Sequence, residues 1–149
     1  MTLRRDGASM NPSDDQLRAL LQGAKRIAVV GMSKNPEKDA HTIPRYMLQE
    51  GYDVIPVNPT ADEILGRKVY KSLREVPGPI DIVDVFRPSE DVPPVVQDAI
   101  AVGAKAVWMQ TGIQHPQAAE QARAAGLTVV QDRCISVEHR RLVKWGTGR

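Results

Sequence analysis

Apolar positions in this chain follow two alternating patterns. Short, continuous runs of β-branched and small residues occur at residues 26–31, 52–57, 80–86, 104–109 and 127–130. Runs of this length predict strands buried on both faces, as in a parallel sheet. Between them, apolar residues recur every three or four positions over residues 42–50, 89–102 and 116–125, the period of a helix with one buried side. A further helix is expected from residue 137. Ser13-Asp14-Asp15-Gln16 forms a capping box ahead of Leu17, Leu20 and Leu21, which predicts a short helix ending at Gly23. Residues 72–76 read as a single helical turn. Residues 1–12 are polar and aperiodic, and are expected to be a flexible segment.

Strands separated by helices build βαβ units. The predicted fold is therefore α/β: a doubly wound, mostly parallel five-stranded sheet, order 3-2-1-4-5, with helices on both faces and a single domain over residues 13–149. Ligands of such sheets bind beyond the carboxyl ends of the strands, where the strand order reverses. The loops after the strands are thus where chemistry is to be sought.

The first of these loops follows IAVVGMSK, residues 27–34. Gly31 permits a tight turn, and the backbone amides of such a loop and of the next helix favour a phosphate. Glycines at the third and sixth positions of a dinucleotide fingerprint are missing, because Met32, Ser33, Lys34, Asn35 and Pro36 follow. No Walker loop is present. The second predicted strand runs into Asn58-Pro59 and has no acidic residue for a nicotinamide-nucleotide ribose. A different phosphate-bearing ligand is expected.

Composition narrows the class further. With 42% hydrophobic and 26% charged residues, the 149-residue chain has the balance of one soluble globular domain. A net charge of +2 with dispersed cations argues against a nucleic-acid partner. No apolar run approaches a membrane span or a signal-peptide core. The single cysteine, Cys134, excludes an internal disulfide and fits a reducing compartment, so a cytoplasmic location is expected.

The loop sequences also carry a resemblance. VVGMSKNPEKDAHTIPRYM from Val29, VIPVNP from Val54, GRKVY from Gly66, DIVDVFRP from Asp81, AVWMQTGI from Ala106 and DRC from Asp132 each fall at a strand end or in the loop beyond it. Over about Asp14 to Leu142 the chain resembles the stand-alone bacterial CoA-binding proteins. These are similar to the N-terminal CoA-binding domain of the succinyl-CoA synthetase α subunit. The resemblance implies a Rossmann-like domain that binds coenzyme A or an acyl-CoA. It places the ligand over Gly31, Met32, Ser33 and Lys34, over Val57, Asn58 and Pro59, over Phe86, Arg87 and Pro88, and over Gln110, Thr111 and Gly112. The synthetase has a lysine just after its second-strand proline, where this chain has Thr60-Ala61. Its phosphorylated histidine belongs to a second domain that has no counterpart here, so ligase activity is not expected to carry over.

Individual residues admit more than one reading. Lys34, Lys38 and Arg45 can meet phosphates or be merely solvated, and His41 can add a donor. A branched side chain at Gly31 is expected to stand where the phosphate sits. Arg87 reaches a phosphate or adenine, or pairs with Asp84 or Glu90. Phe86 and Trp108 read as core. Asp81 and Asp84 are expected to cap or pair at the ends of their strand, and His115 to open a helix. His139, with Glu138, Arg140 and Arg141, reads as a solvated or interface face. Cys134 is either structural or a partner for the CoA thiol in a mixed disulfide. No metal-ligand spacing and no catalytic set of nucleophile, base and orienting group is visible. The expected function is therefore non-catalytic CoA binding. An enzyme acting on CoA thioesters and an NAD(P)-binding regulatory module are the alternatives.

Overall fold

The computed structural model describes residues 11–145. Helix α1 (Asp14–Gly23) opens with the expected capping box: the Gln16 amide donates to Ser13 Oγ, and the Ser13 amide to the Gln16 side chain. There follow β1 (Arg26–Val30), α2 (Asp39–Gln49), β2 (Asp53–Val57), a small hairpin of β3 (Glu63–Ile64) and β4 (Arg67–Lys68), and β5 (Ile82–Val85). The rest is α3 (Val92–Ala101), β6 (Ala106–Met109), α4 (Pro116–Ala124), β7 (Thr128–Val130) and α5 (Ile135–His139). A π-helical turn at Arg140–Lys144 extends α5. Of the segment expected to be flexible, residues 1–10 lie outside the described residues. Asn11 exchanges two hydrogen bonds with the backbone of Gln131, at 3.0 and 2.9 Å.

All five strands of the main sheet are parallel, in the order β2-β1-β5-β6-β7. Outside β2, Tyr70 forms a parallel bridge with Val57 and occupies the place of one more strand. Counting that bridge as the third strand in sequence, the order matches the expected 3-2-1-4-5 pattern, with β7 added at the far edge. The segment at 80–86 therefore takes the fourth place in the pattern, beside β1.

Strand alternation divides the core into two layers. Ala28, Val83, Val85, Val107 and Met109 pack against Val92, Val96 and Ala99 of α3 and Ala118 and Ala122 of α4. Ile27, Val29, Ile82, Ala106 and Trp108 face the other way, onto Leu17 and Leu21 of α1, Met47 of α2, and Ile135. Trp108 is fully buried, and its Nε1–H donates to the Arg133 carbonyl at 2.8 Å.

Several boundaries and side chains differ from expectation, each for a physical reason. The 89–102 segment splits into a 3-10 turn at Ser89–Asp91 and then α3, because Pro93 and Pro94 lack N–H groups and fit only a first helical turn. Asp81 does cap: it accepts the Lys25 and Arg26 amides at 2.8 and 2.9 Å and pairs with Lys105. Asp84 does not cap or pair. It sits mid-strand between Val29 and Trp108, fully buried, and neither carboxylate oxygen has a hydrogen-bond partner among the described residues. Burial holds its carboxyl well above the usual carboxylate range, because desolvation disfavours the charged form.

Glu138 and His139 are buried rather than solvated. Helix α5 lays them against α1, α2 and the sheet, and their polarity is matched by partners. Glu138 takes Arg141 at 2.6 Å, and Arg141 also clasps Asp14. His139 Nδ1 shares a 2.8 Å hydrogen bond with the Tyr46 hydroxyl, and its ring meets Tyr46 and Tyr52 edge-on. Burial lowers the pKa of His139 and raises that of Tyr52 to about 12.

Candidate functional site

The strand order reverses between β1 and β5, so Gly31 and Phe86-Arg87 flank the switch point. The first loop is built around a proline. Pro44 lies inside α2, which begins at Asp39, and has no N–H for the carbonyl of Ala40 four residues earlier. That carbonyl instead accepts the Ser33 amide at 3.1 Å, which ties the loop to the helix. His41 completes the tie: it is 7% exposed, and its Nδ1 donates to the Ser33 carbonyl at 2.8 Å. Two amides of this loop, those of Met32 and Lys34, donate to no described residue.

The second loop is stitched to the first. Asn58 donates through Nδ2 to the Met32 carbonyl and accepts both the amide and the hydroxyl of Thr60, each at 2.8 Å. The Asn-Pro turn therefore fixes the spacing between the ends of β1 and β2. Its carbonyl oxygen and one of its two N–H donors are engaged in doing so.

Above these loops a cleft of about 490 Å³ is walled by Gly31, Asn58, Thr60, Lys71, Arg87 and Val95. It continues past Gly31, Asn58 and Thr60 into a depression of about 570 Å³ beside Ser33, Lys34, Lys38, Ala40 and Phe86. Neither Lys34 nor Lys38 pairs with a carboxylate of a described residue, and both are exposed. The amino end of α2 opens onto the same depression, and Lys38, its cap residue, makes no side-chain cap. Cations without a carboxylate partner among the described residues, free amides and a helix amino end together make a surface suited to an anion.

Arg87 pairs with neither Asp84 nor Glu90. Its guanidinium meets Asp91 at 2.9 Å, one turn along the chain, because Asp84 is sealed inside the sheet. The Arg87 stem crosses Gly31: a Cβ on Gly31 would lie 3.2 Å from Arg87 Cδ and 2.9 Å from the Phe86 carbonyl oxygen. Gly31 has φ +90°. A side chain there would collide with Phe86 and Arg87 just beyond β5, so the expectation that a branched residue at Gly31 acts only by occupying ligand space is corrected. The glycine is required by the close approach of two strand ends.

The structure brings Gly31, Ser33, Lys34, Val57, Asn58, Pro59, Phe86 and Arg87 to the cleft walls. Met32 lies buried beneath them. Arg45 lines a separate depression with Thr42, Tyr46 and Arg140 on the outer side of α2. Pro88 caps the 3-10 turn before α3. The Gln110-Thr111-Gly112 loop closes on the segment after β7, away from the cleft walls. Gln110 is buried and accepts the Ile135 amide at 3.2 Å, and the Gly112 amide donates to Asp132 at 2.7 Å. His115 opens α4 as expected, with its Nδ1 accepting the Ala118 amide. Cys134 is partly exposed, with Sγ 3.2 Å from the Ser136 hydroxyl. Thr60, Lys71 and Ser72 also line the cleft and were not singled out from the sequence as binding residues. The one available signal was Thr60-Ala61 standing where a lysine was expected.

A family model for a CoA binding domain matches residues 25–140. Protein YneT of Bacillus subtilis (strain 168) is 45% identical over 129 residues, which cover 87% of this chain and 96% of that protein. The alpha subunit of the ADP-forming acetate–CoA ligase II of Pyrococcus furiosus is 27% identical over 122 residues. That match covers 74% of this chain and only 27% of the subunit. A solved structure, a hypothetical protein from Pyrococcus horikoshii OT3, superposes with a TM-score of 0.88 at 40% identity, covering 96% of this chain and 99% of that one. With a switch-point cleft on a doubly wound sheet and a family match over most of its length, the chain belongs to the CoA-binding domain family.

Proposed function

We propose that this protein binds coenzyme A or an acyl-CoA non-covalently in the switch-point cleft, in the cytoplasm and without chemistry of its own. The observation that carries the reading is the pairing of two surfaces in one continuous cleft. One is an anion-binding face where, among the described residues, Lys34 and Lys38 have no carboxylate partner and the amides of Met32 and Lys34 no acceptor. The other is a more apolar chamber walled by Val30, Val57, Leu73, Pro94 and Val95. Coenzyme A has both chemistries, a diphosphate and an adenosine, and the cleft has the size of a small-molecule site. The diphosphate sits over the first loop, and the adenosine lies across the end of β2.

The end of β2 also argues against NAD. Asn58 stands where a ribose-holding carboxylate is needed, and its carbonyl oxygen and one of its N–H donors are already engaged. Calorimetric titration of ligand-free protein with CoA, dephospho-CoA and NAD tests the reading. CoA is expected to bind more tightly than NAD. NAD binding as tightly as CoA, or no heat with CoA, overturns it.

A further inference from the structure

We propose that Lys71 selects the phosphate ester on the ligand's ribose, supplying from the sheet edge the cation that the loop after β2 lacks. The proposal rests on the coenzyme A reading above.

The ribose of a ligand in a sheet of this kind lies at the carboxyl end of the second strand. In this chain that end is Val57 followed by Asn58, Pro59, Thr60 and Ala61, a stretch without a charge. Lys71 arrives there from a different part of the chain. Tyr70 is laid against β2 by two backbone hydrogen bonds, its amide to the Pro56 carbonyl (3.0 Å) and its carbonyl from the Asn58 amide (2.9 Å). The next residue is thereby carried to the cleft rim. Its ammonium donates to the Ala61 carbonyl at 2.7 Å and to Asp62 at 2.9 Å, and the side chain walls the cleft between Thr60 and Ser72. The position is thus occupied in space though not in sequence.

The carbonyl of Ala61 holds the ammonium in place. Asp62 holds it only weakly, since the Asp62 side chain is 97% exposed and that of Lys71 is 47% exposed. An ammonium has three donors, so one can turn to a phosphate while the bond to Ala61 persists. Thr60 and Ser72 border the same rim, and the Asp62 carboxylate at this corner is already taken by the ammonium at 2.9 Å. A ribose carrying a phosphate dianion fits this corner. Arg87 lines the same chamber, but its stem crosses Gly31 and its guanidinium is held by Asp91 at 2.9 Å.

The test compares CoA with 3′-dephospho-CoA by calorimetry for three proteins: wild type, Lys71→Met, and Lys71→Met with Thr60→Lys. Thermal melts establish that each is folded. Wild type is expected to prefer CoA by roughly tenfold or more. In Lys71→Met, affinity for CoA falls about tenfold further than affinity for dephospho-CoA. Thr60→Lys in that background restores the preference by returning an ammonium to the same corner from the loop itself. Equal losses for both ligands, or a preference that survives Lys71→Met, overturn the assignment of Lys71 while leaving CoA binding intact. Wild-type protein that binds neither ligand overturns the coenzyme A reading itself, and this proposal with it.

Discussion

Replacing Asp84 with Asn should change how stability depends on pH far more than it changes the fold. Asp84 occupies the middle of β5, fully buried between Val29 and Trp108, and neither oxygen has a partner among the described residues. Burial raises its pKa well above the ordinary carboxylate value. The folded protein therefore keeps a proton that the unfolded chain releases above about pH 4. The contribution of Asp84 to stability is fully present below that pH and is lost as pH rises towards the folded-state pKa. While the native state remains protonated, the loss is about 1.4 kcal/mol per pH unit. In a domain of this size that is roughly 3–6 °C in Tm per unit. Asn has the shape of the protonated acid but does not titrate. Thermal melts of wild type and Asp84→Asn at steps between pH 4 and 7 should show the difference between the two curves changing with pH at up to this slope, with the variant gaining on the parent as pH rises. Parallel Tm–pH curves would refute the argument, since they would mean that the buried carboxyl binds no more protons in the folded state than in the unfolded one.

Two further outcomes are expected. Lys34→Ala should weaken CoA binding by about 1–3 kcal/mol and flatten its salt dependence in calorimetric titrations, because one charge-assisted phosphate contact is lost; unchanged affinity and salt slope would remove the first loop from the site. Gly31→Ala should destabilise the protein by about 1–3 kcal/mol in urea melts, given φ +90° and a Cβ 2.9 Å from the Phe86 carbonyl oxygen; parental stability would show that the ends of β1 and β5 separate at little cost.

Much of the scaffold was legible from local pattern. The runs in β1, β2, β5, β6 and β7 are apolar at nearly every position because both faces of a parallel sheet are covered, so their sequence declares their burial directly. The capping box at Ser13 was equally plain, since its hydrogen bonds span only three residues. The β3–β4 hairpin was not legible, because strands of two residues are too short to display a period. The start of α2 was read three residues late. Proline fits most simply in a first helical turn, whereas Pro44 lies inside this helix, which tolerates it by giving the Ala40 carbonyl to Ser33.

The site divides in the same way. Gly31, Ser33, Lys34, Asn58 and Arg87 belong to the loops that follow strands, and the topology of a doubly wound sheet sends those loops to one end. The sequence alone therefore determined the fold class and the end of the sheet that carries the cleft. Tertiary structure decided which side chains remain available once packing has used the rest. His41 and Asn58 hold loops together, Glu138 and His139 are drawn inside with their partners, and Asp84 is sealed without one among the described residues. Lys71, ten residues beyond Ala61, reaches its carbonyl only because Tyr70 pairs with β2. Strand and helix periods arise from neighbours along the chain and so are written in it, whereas the partner of a polar group is set by whichever distant segment folds against it.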